Sequence, residues 1–187
     1  MSDKWKSIDG WLADNEAEML QKFAIDKICL ELGAYKGKST IAMADNAKYL
    51  FTIDPFSFIS EVCYDINSPD YLGQHQSREF TTLNEFKNNT REYDNIFPFI
   101  GTSTDVVPFF FDNTFDVIFI DAIHDYENAI KDTRCVWNKL KMGGVIIYHD
   151  WDWGDGGVGR GIKSLFSDDE IGYDEALRYI IKKKYSI

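Results

Sequence analysis

Leu30-Glu31-Leu32-Gly33-Ala34-Tyr35-Lys36-Gly37-Lys38-Ser39-Thr40 is the stretch on which the fold turns. The apolar run from Lys27 to Leu32 stops at a glycine, and after a short loop the helix-like residues 39–44 begin, so the order is strand, glycine turn, helix. Glu31 stands at the strand tip. Gly33 and Gly37 lie where a chain must turn beside a ligand with no Cβ in the way, although a turn that holds no ligand fits the same residues. Only three residues separate Gly33 from Gly37, one short of the phosphate-binding loop that Gly37-Lys38-Ser39 otherwise suggests. The dinucleotide fingerprint is missed as well, since it requires a second glycine two positions after the first.

The next strand narrows the choice. Residues 49–53 are strand-like and close on Asp54, 21 residues after Gly33, where an acid on an adjacent strand accepts the hydroxyls of an adenosine ribose. The alternative for Asp54 is a turn or capping role ahead of Pro55. Two acids and a glycine turn on neighbouring strand ends describe a nucleoside site.

Outward from this core the alternation continues. A leading helix covers residues 14–23, with Asp14 or Asn15 as N-cap. Residues 77–93 read as mostly helical, 95–100 as a strand and 104–111 as a short helix. Residues 115–121, Phe-Asp-Val-Ile-Phe-Ile-Asp, form the clearest buried strand. Residues 126–140 carry Ala129, Ile130, Thr133, Val136, Trp137 and Leu140 on one helical stripe. The pair Gly143-Gly144 is expected to end that helix, with a fifth strand at residues 145–148. Five strands alternating with helices predict a Rossmann-like three-layer α/β sandwich with a mainly parallel sheet, whose ligands bind at the carboxyl ends of the strands where strand order reverses. Two stretches resist the pattern: residues 55–78 are expected to be a lid or substrate insertion, and the glycine run 154–161 a flexible turn before a helix at 162–166. Residues 173–187 fit either a helix or a final strand.

With 187 residues and 44% hydrophobic content, the chain suits one domain over residues 1–187, of which 1–26 form a leading helical segment. Thirty-one acidic against 20 basic residues give a net charge of −11, which disfavours phosphate backbones and anionic lipid surfaces as partners. Cys29, Cys63 and Cys135 read as reduced thiols. No signal-peptide order and no spanning apolar run is seen, so a cytoplasmic protein is expected. Oligomeric state is left open.

The ordered set Glu31-x-Gly33-x-x-x-Gly37-x-Ser39, Asp54, Gly101-Thr102-Ser103, Phe115-Asp116-x-x-Phe119-Ile120-Asp121 and Gly143-Gly144-Val145 resembles class I S-adenosylmethionine-dependent methyltransferases. The Tyr-Lys-Gly-Lys-Ser-Thr turn and the strand ending in His-Asp resemble the small-molecule and sugar O-methyltransferase branch. That resemblance implies methyl transfer from S-adenosylmethionine to a hydroxyl of a small-molecule or carbohydrate acceptor. It implies that Glu31, Gly33 and Ser39, with Tyr35, Gly37 and Thr40 of the same turn, surround the methionine part of the cofactor. Asp54 would hold the ribose, Thr102 and Ser103 would edge the adenine, and Asp121 would sit beside the sulfonium. Thr102-Ser103 equally fits a helix cap.

Asp121, His124, His149 and Asp150 follow two strands expected to be neighbours and carry the chemistry. Asp121 and Asp150 are hard oxygen ligands suited to Mg2+ or another divalent cation, and His149 or His124 could take a proton from a hydroxyl. Metal-dependent relatives carry a carboxylate pair or Asp-Asn after the fifth strand. Here His149-Asp150-Trp151-Asp152 stands there, so the third ligand is His149, Asp152 or absent. Structural readings are a hydrogen-bonded strand end for His149-Asp150 and a helix-start histidine for His124. Trp151, Trp153, Phe56 and Phe58 are either acceptor walls or packing. The rival functions are a nucleoside-binding module without chemistry and an NAD-binding oxidoreductase.

Overall fold

A computed structural model describes residues 3–58, 80–174 and 176–183. Its centre is a sheet of seven strands: β1 (Ile28–Leu32), β2 (Tyr49–Asp54), β5 (Ile96–Ile100), β6 (Phe115–Ile120), β7 (Leu140–Tyr148), β8 (Ile171–Asp174) and β9 (Leu177–Ile181). They lie in the order β5-β2-β1-β6-β7-β9-β8. The first five run parallel, while β9 pairs antiparallel with β7 and β8 with β9. The chain starts in the middle at β1, moves out to β5 and returns to β6, so strand order reverses between β1 and β6. A separate two-stranded ladder joins β3 (Ser57–Phe58) to β4 (Phe80–Thr81).

The period of two along each strand sorts the core into two layers. Leu30, Leu32, Ile118, Ile120, Ile146 and Tyr148 face α5 (Tyr126–Trp137) and α6 (Gly157–Lys163). Cys29, Val117, Phe119 and Ile147 face the opposite way, toward α1 (Asp14–Phe23) and α2 (Lys38–Ala44). The expected three-layer α/β sandwich is therefore the fold observed. Two further α-helices, α3 (Leu83–Thr90) and α4 (Ser103–Val106), complete the α-helices among the described residues. None of these is long and apolar enough to cross a membrane.

Several expected boundaries move. The α1 N-cap is Ala13, not Asp14 or Asn15; it offers no side-chain acceptor to the first-turn amides, while Glu16 accepts the N–H of Ala13 itself at 2.8 Å. Residues 104–111 divide into α4 and a 3-10 turn at Val107–Phe109, where Pro108 has no N–H to continue an α-helix. In residues 77–93 the helix begins only at Leu83, after the β4 strand. Helix α5 stops at Trp137, and Gly143-Gly144 lies within β7, where a shift of register against β6 and a φ of +76° at Gly143 call for glycine. Residues 171–174 and 177–181 pair as antiparallel strands. Of the lid expected at 55–78, residues 59–78 fall outside the described residues, as does Cys63; Cys29 and Cys135 are free thiols.

The glycine run departs furthest from expectation. Gly157, Gly159 and Gly161 lie on α6, and a Cβ on them would come within 2.8 Å of the carbonyl oxygens of His124, Trp151 and Tyr126 respectively. Residues 154–156 do turn, with Gly154 and Gly156 at positive φ and open space around them, but from Gly157 the run is a helix whose glycines are pressed against backbone with no room for side chains.

Candidate active site

Register places the candidate residues in one row. Glu31 pairs with Thr52 on β2 and with Phe119 on β6, and Phe119 pairs with Ile147 on β7. One step further along each strand on the same face come Gly33, Asp54, Asp121 and His149. All four stand at the carboxyl edge of the sheet, on the α1 and α2 side, astride the point of order reversal. Hydrogen bonds carry the sheet into this row: Gly33 N–H to Ile53 O at 2.9 Å, Asp121 N–H to Leu32 O at 2.9 Å and His149 N–H to Ile120 O at 3.1 Å.

Gly33 has a φ of +90°, and a Cβ there would lie 1.9 Å from the carbonyl oxygen of Asp121. The absent side chain thus makes room for protein, letting the first turn close against the end of β6. Gly37, at φ +91°, similarly makes room for Phe86 and Thr90 of α3. Asp54 organises the turn between them. Its Oδ2 accepts the N–H groups of Ala34 at 2.7 Å and Tyr35 at 2.8 Å, and its Oδ1 accepts that of Phe56. The turn amides that would cradle a phosphate are committed to this carboxylate. A carboxylate has about four lone-pair directions, and the described residues occupy three of those of Asp54.

Glu31 is fully buried and accepts the hydroxyls of Ser39 and Thr40, both at 2.6 Å, at the start of α2. Burial pushes its carboxyl up to about 7, against the opposing effect of those two hydroxyls. Tyr35 has a φ of +49°, and its ring lies 5.2 Å from that of Trp11, which projects into solvent from the segment before α1. Thr102 and Ser103 stand past the end of β5. Thr102 donates to Asp105 at 2.6 Å and Ser103 to Asp132 at 2.5 Å, and Thr102 is the N-cap residue of α4 without a side-chain cap bond.

A cluster of titratable side chains lies at the β6 and β7 end of the row. Asp121, His124, His149 and Asp150 each offer a ligand atom, and these atoms all lie within 4.8 Å of one another. His124 Nε2 is 3.3 Å from Asp121 Oδ1 and 3.2 Å from Asp150 Oδ2. His149 Nδ1 is 3.2 Å from Asp121 Oδ1 and 2.9 Å from Asp150 Oδ2. Asp152 is outside this group and exposed. Asp150 adopts a φ of +51°, a left-handed conformation that aspartate tolerates and that turns its carboxylate back toward His149. Burial raises the Asp121 carboxyl, but the imidazoles of His124 and His149 outweigh it and hold the group near about 2. Burial opposes charge on His149, yet Asp121, Asp150 and Glu16 around it push its pKa up to about 12.

Does this group suit a divalent cation? His149 is 5% exposed, and its Nδ1 is buried with no hydrogen-bond partner despite its two carboxylate neighbours. His149 Nδ1 lies 3.2 Å from Asp121 Oδ1 and 2.9 Å from Asp150 Oδ2, near the edge of an octahedral shell with bonds of about 2.1 Å, roughly 3.0 Å. The donor set fits a cation.

Two supporting features escaped the sequence. Glu16 reaches from α1 to place Oε2 3.2 Å from His149 Nε2, and no local pattern links residues 133 positions apart. The glycine face of α6 packs on the backbone of both loops that carry the cluster, at His124 and at Trp151; regular glycine spacing was the available signal. Asp125 caps α5 by accepting the Asn128 N–H at 2.8 Å. Among the expected aromatic walls, Phe56 is buried against Phe86 and Trp151 packs beside Tyr148. Trp153 is exposed and stands edge-on to His124 at 5.6 Å.

Residues 30–151, more than half of the chain, match the model of a family described as "Methyltransferase domain". No curated protein matches. The fold is similar to that of the O-methyltransferase NovP, with a TM-score of 0.67 and 19% identity over 91% of this chain and 80% of that one. TomG from Streptomyces achromogenes, an O-methyltransferase involved in tomaymycin synthesis and solved with SAM, gives 0.65 and 15% over 97% and 91%. An O-methyltransferase from Bacillus cereus, solved with SAH, gives 0.64 and 15% over 97% and 92%.

Proposed function

This chain belongs to the methyltransferase-domain family, and on that premise we propose that it moves the methyl group of S-adenosylmethionine to a hydroxyl oxygen of a small-molecule or carbohydrate acceptor. The observation that carries this reading is the single row of Gly33, Asp54, Asp121 and His149 at the point of strand reversal, inside the matched region. The O-methyltransferases of similar fold solved with SAM or SAH support the choice of cofactor and of oxygen as the atom methylated.

S-adenosylmethionine supplies a sulfonium methyl group whose transfer forms an O–C bond, breaks the S–C bond and releases the hydroxyl proton. Asp54 offers its remaining acceptor position to a ribose hydroxyl while holding the turn through Ala34 and Tyr35. Ser39, Thr40, Tyr35 and the two glycines shape the methionine end, and Thr102 and Ser103 border the adenine end. Asp121, His149 and Asp150 are the residues that would hold a divalent cation, which supplies Lewis acidity that lowers the pKa of an acceptor hydroxyl.

We assign the proton-accepting role to His124 rather than to His149. His149 is 5% exposed with carboxylates facing both ring nitrogens, so it suits a held ligand. His124 is partly exposed beside Trp153, where an acceptor can reach it. Orienting the acceptor oxygen in line with the methyl group supplies the rest of the catalysis.

The test is methyl transfer from radiolabelled S-adenosylmethionine across a panel of hydroxylated acceptors, in wild type and His124→Ala. A hundredfold or greater loss of turnover in His124→Ala with cofactor affinity retained is expected, given the usual contribution of acid–base groups of about 10²–10⁴. Unchanged turnover in that variant overturns the assignment.

A further inference from the structure

Helix α1 lies outside the region matched by the family model, which begins at residue 30, yet it reaches the titratable cluster through Glu16. The Glu16 carboxylate performs two tasks: Oε2 accepts the Ala13 N–H at 2.8 Å, and the same atom stands 3.2 Å from His149 Nε2. A carboxylate can only accept, so the bond requires the proton of His149 to be on Nε2. Nδ1, across the ring, then faces Asp121 and Asp150, and a cation held there would take the place of the Nδ1 proton that these carboxylates favour in its absence. That nitrogen is buried and without a hydrogen-bond partner. The ring of Phe119 stands edge-on to His149 at 6.2 Å and packs the opposite side of the arrangement.

We propose that Glu16 is a positioning residue that holds His149 with Nδ1 turned toward Asp121 and Asp150, giving the centre an imidazole ligand and a preference for a transition metal over Mg2+. The proposal rests on the reading of the group as a cation centre. Carboxylates alone suit Mg2+, whereas an imidazole nitrogen favours later divalent metals such as Co2+. A carboxylate behind a ligating histidine fixes the ring and raises its basicity.

The experiment titrates Co2+ into the whole protein, followed by visible absorption and calorimetry, with Mg2+ as competitor. Wild type is expected to bind Co2+ at least tenfold more tightly than Mg2+. Glu16→Ala is expected to lose about 10–100-fold in Co2+ affinity, the range for such supporting groups, and to shift the absorption band while Mg2+ affinity stays nearly constant. Because Glu16→Ala also removes the cap on α1, Glu16→Asp serves as second variant: it keeps an acid in the first turn but draws it one methylene away from His149, and the same loss is expected. The double variant Glu16→Ala/His149→Ala is expected to bind Co2+ no more weakly than His149→Ala alone. Folded wild type that binds no Co2+ overturns the cation centre and the proposal with it. Binding in wild type that survives both Glu16 variants, or losses that add in the double variant, overturns the role of Glu16 and leaves the centre standing.

Discussion

Gly33 shows how little freedom the first turn has. A methyl group there would lie 1.9 Å from the Asp121 carbonyl oxygen at a φ of +90°, so neither the side chain nor the backbone can adjust cheaply. Gly33→Ala is expected to cost about 3 kcal/mol or more, read by urea denaturation; a loss below about 0.5 kcal/mol would contradict the packing described. Glu31 tests the neighbouring contacts through pH. Burial raises its carboxyl from 4.5 to about 7 in the folded protein, so its contribution to stability is complete below its unfolded value and declines as pH rises through the folded one. Relative to Glu31→Gln, wild type is expected to lose on the order of 3 kcal/mol between about pH 4 and pH 8. Parallel stability profiles for the two proteins would show that Glu31 is not held in this way. Glu31, Gly33 and Asp54 stood out as candidates in the sequence because an acid at a strand tip and a glycine after it are local signals. Their internal work was not visible, since the carbonyl of Asp121 and the hydroxyls of Ser39 and Thr40 meet them only after the chain has folded.

At the level of elements, the parallel strands and α1 were legible because short continuous apolar runs and stripes with period 3.6 depend on burial alone. The final antiparallel pair was not: β8 and β9 lie at the edge of the sheet, half-exposed, and their residues carry a weak pattern. The second part of the glycine run misled for a clear reason. Glycine lowers helix propensity by about 1 kcal/mol per residue, so Gly157, Gly159 and Gly161 argue locally against a helix, and only contact with the neighbouring loops makes them necessary. This yields a prediction opposite to propensity. Gly159→Ala would gain about 1 kcal/mol in an isolated helix, but its Cβ would lie 2.8 Å from both the carbonyl oxygen and the indole nitrogen of Trp151. A net loss of about 1–3 kcal/mol is expected, with weaker cation binding because Asp150 precedes Trp151. A stabilised Gly159→Ala variant in a thermal melt would refute the clamp. The capping Asp125, by contrast, acts on α5 alone, and Asp125→Ala is expected to cost about 1 kcal/mol without changing cofactor affinity.

Across the whole molecule, the sheet brings together residues that the chain keeps far apart. Asp54 and Asp121 arrive from opposite halves of the strand order, and Glu16 meets His149 across 133 positions. The row at the carboxyl edge was anticipated from strand alternation, because reversal of strand order leaves a crevice there in any open α/β sheet. The support from α1 was beyond reach, because nothing in residues 14–23 distinguishes a helix that touches the centre from one that only covers the sheet. The family match at residues 30–151 places this strand-end row inside a methyltransferase domain, and the proposed function makes Asp54 the residue on which cofactor binding depends. Calorimetric titration of wild type and Asp54→Ala with S-adenosylmethionine tests this most directly. Wild type is expected to bind one molecule per chain and Asp54→Ala, still folded by circular dichroism, to bind none; folded wild type that releases no heat, or a variant that binds as tightly as wild type, would contradict it.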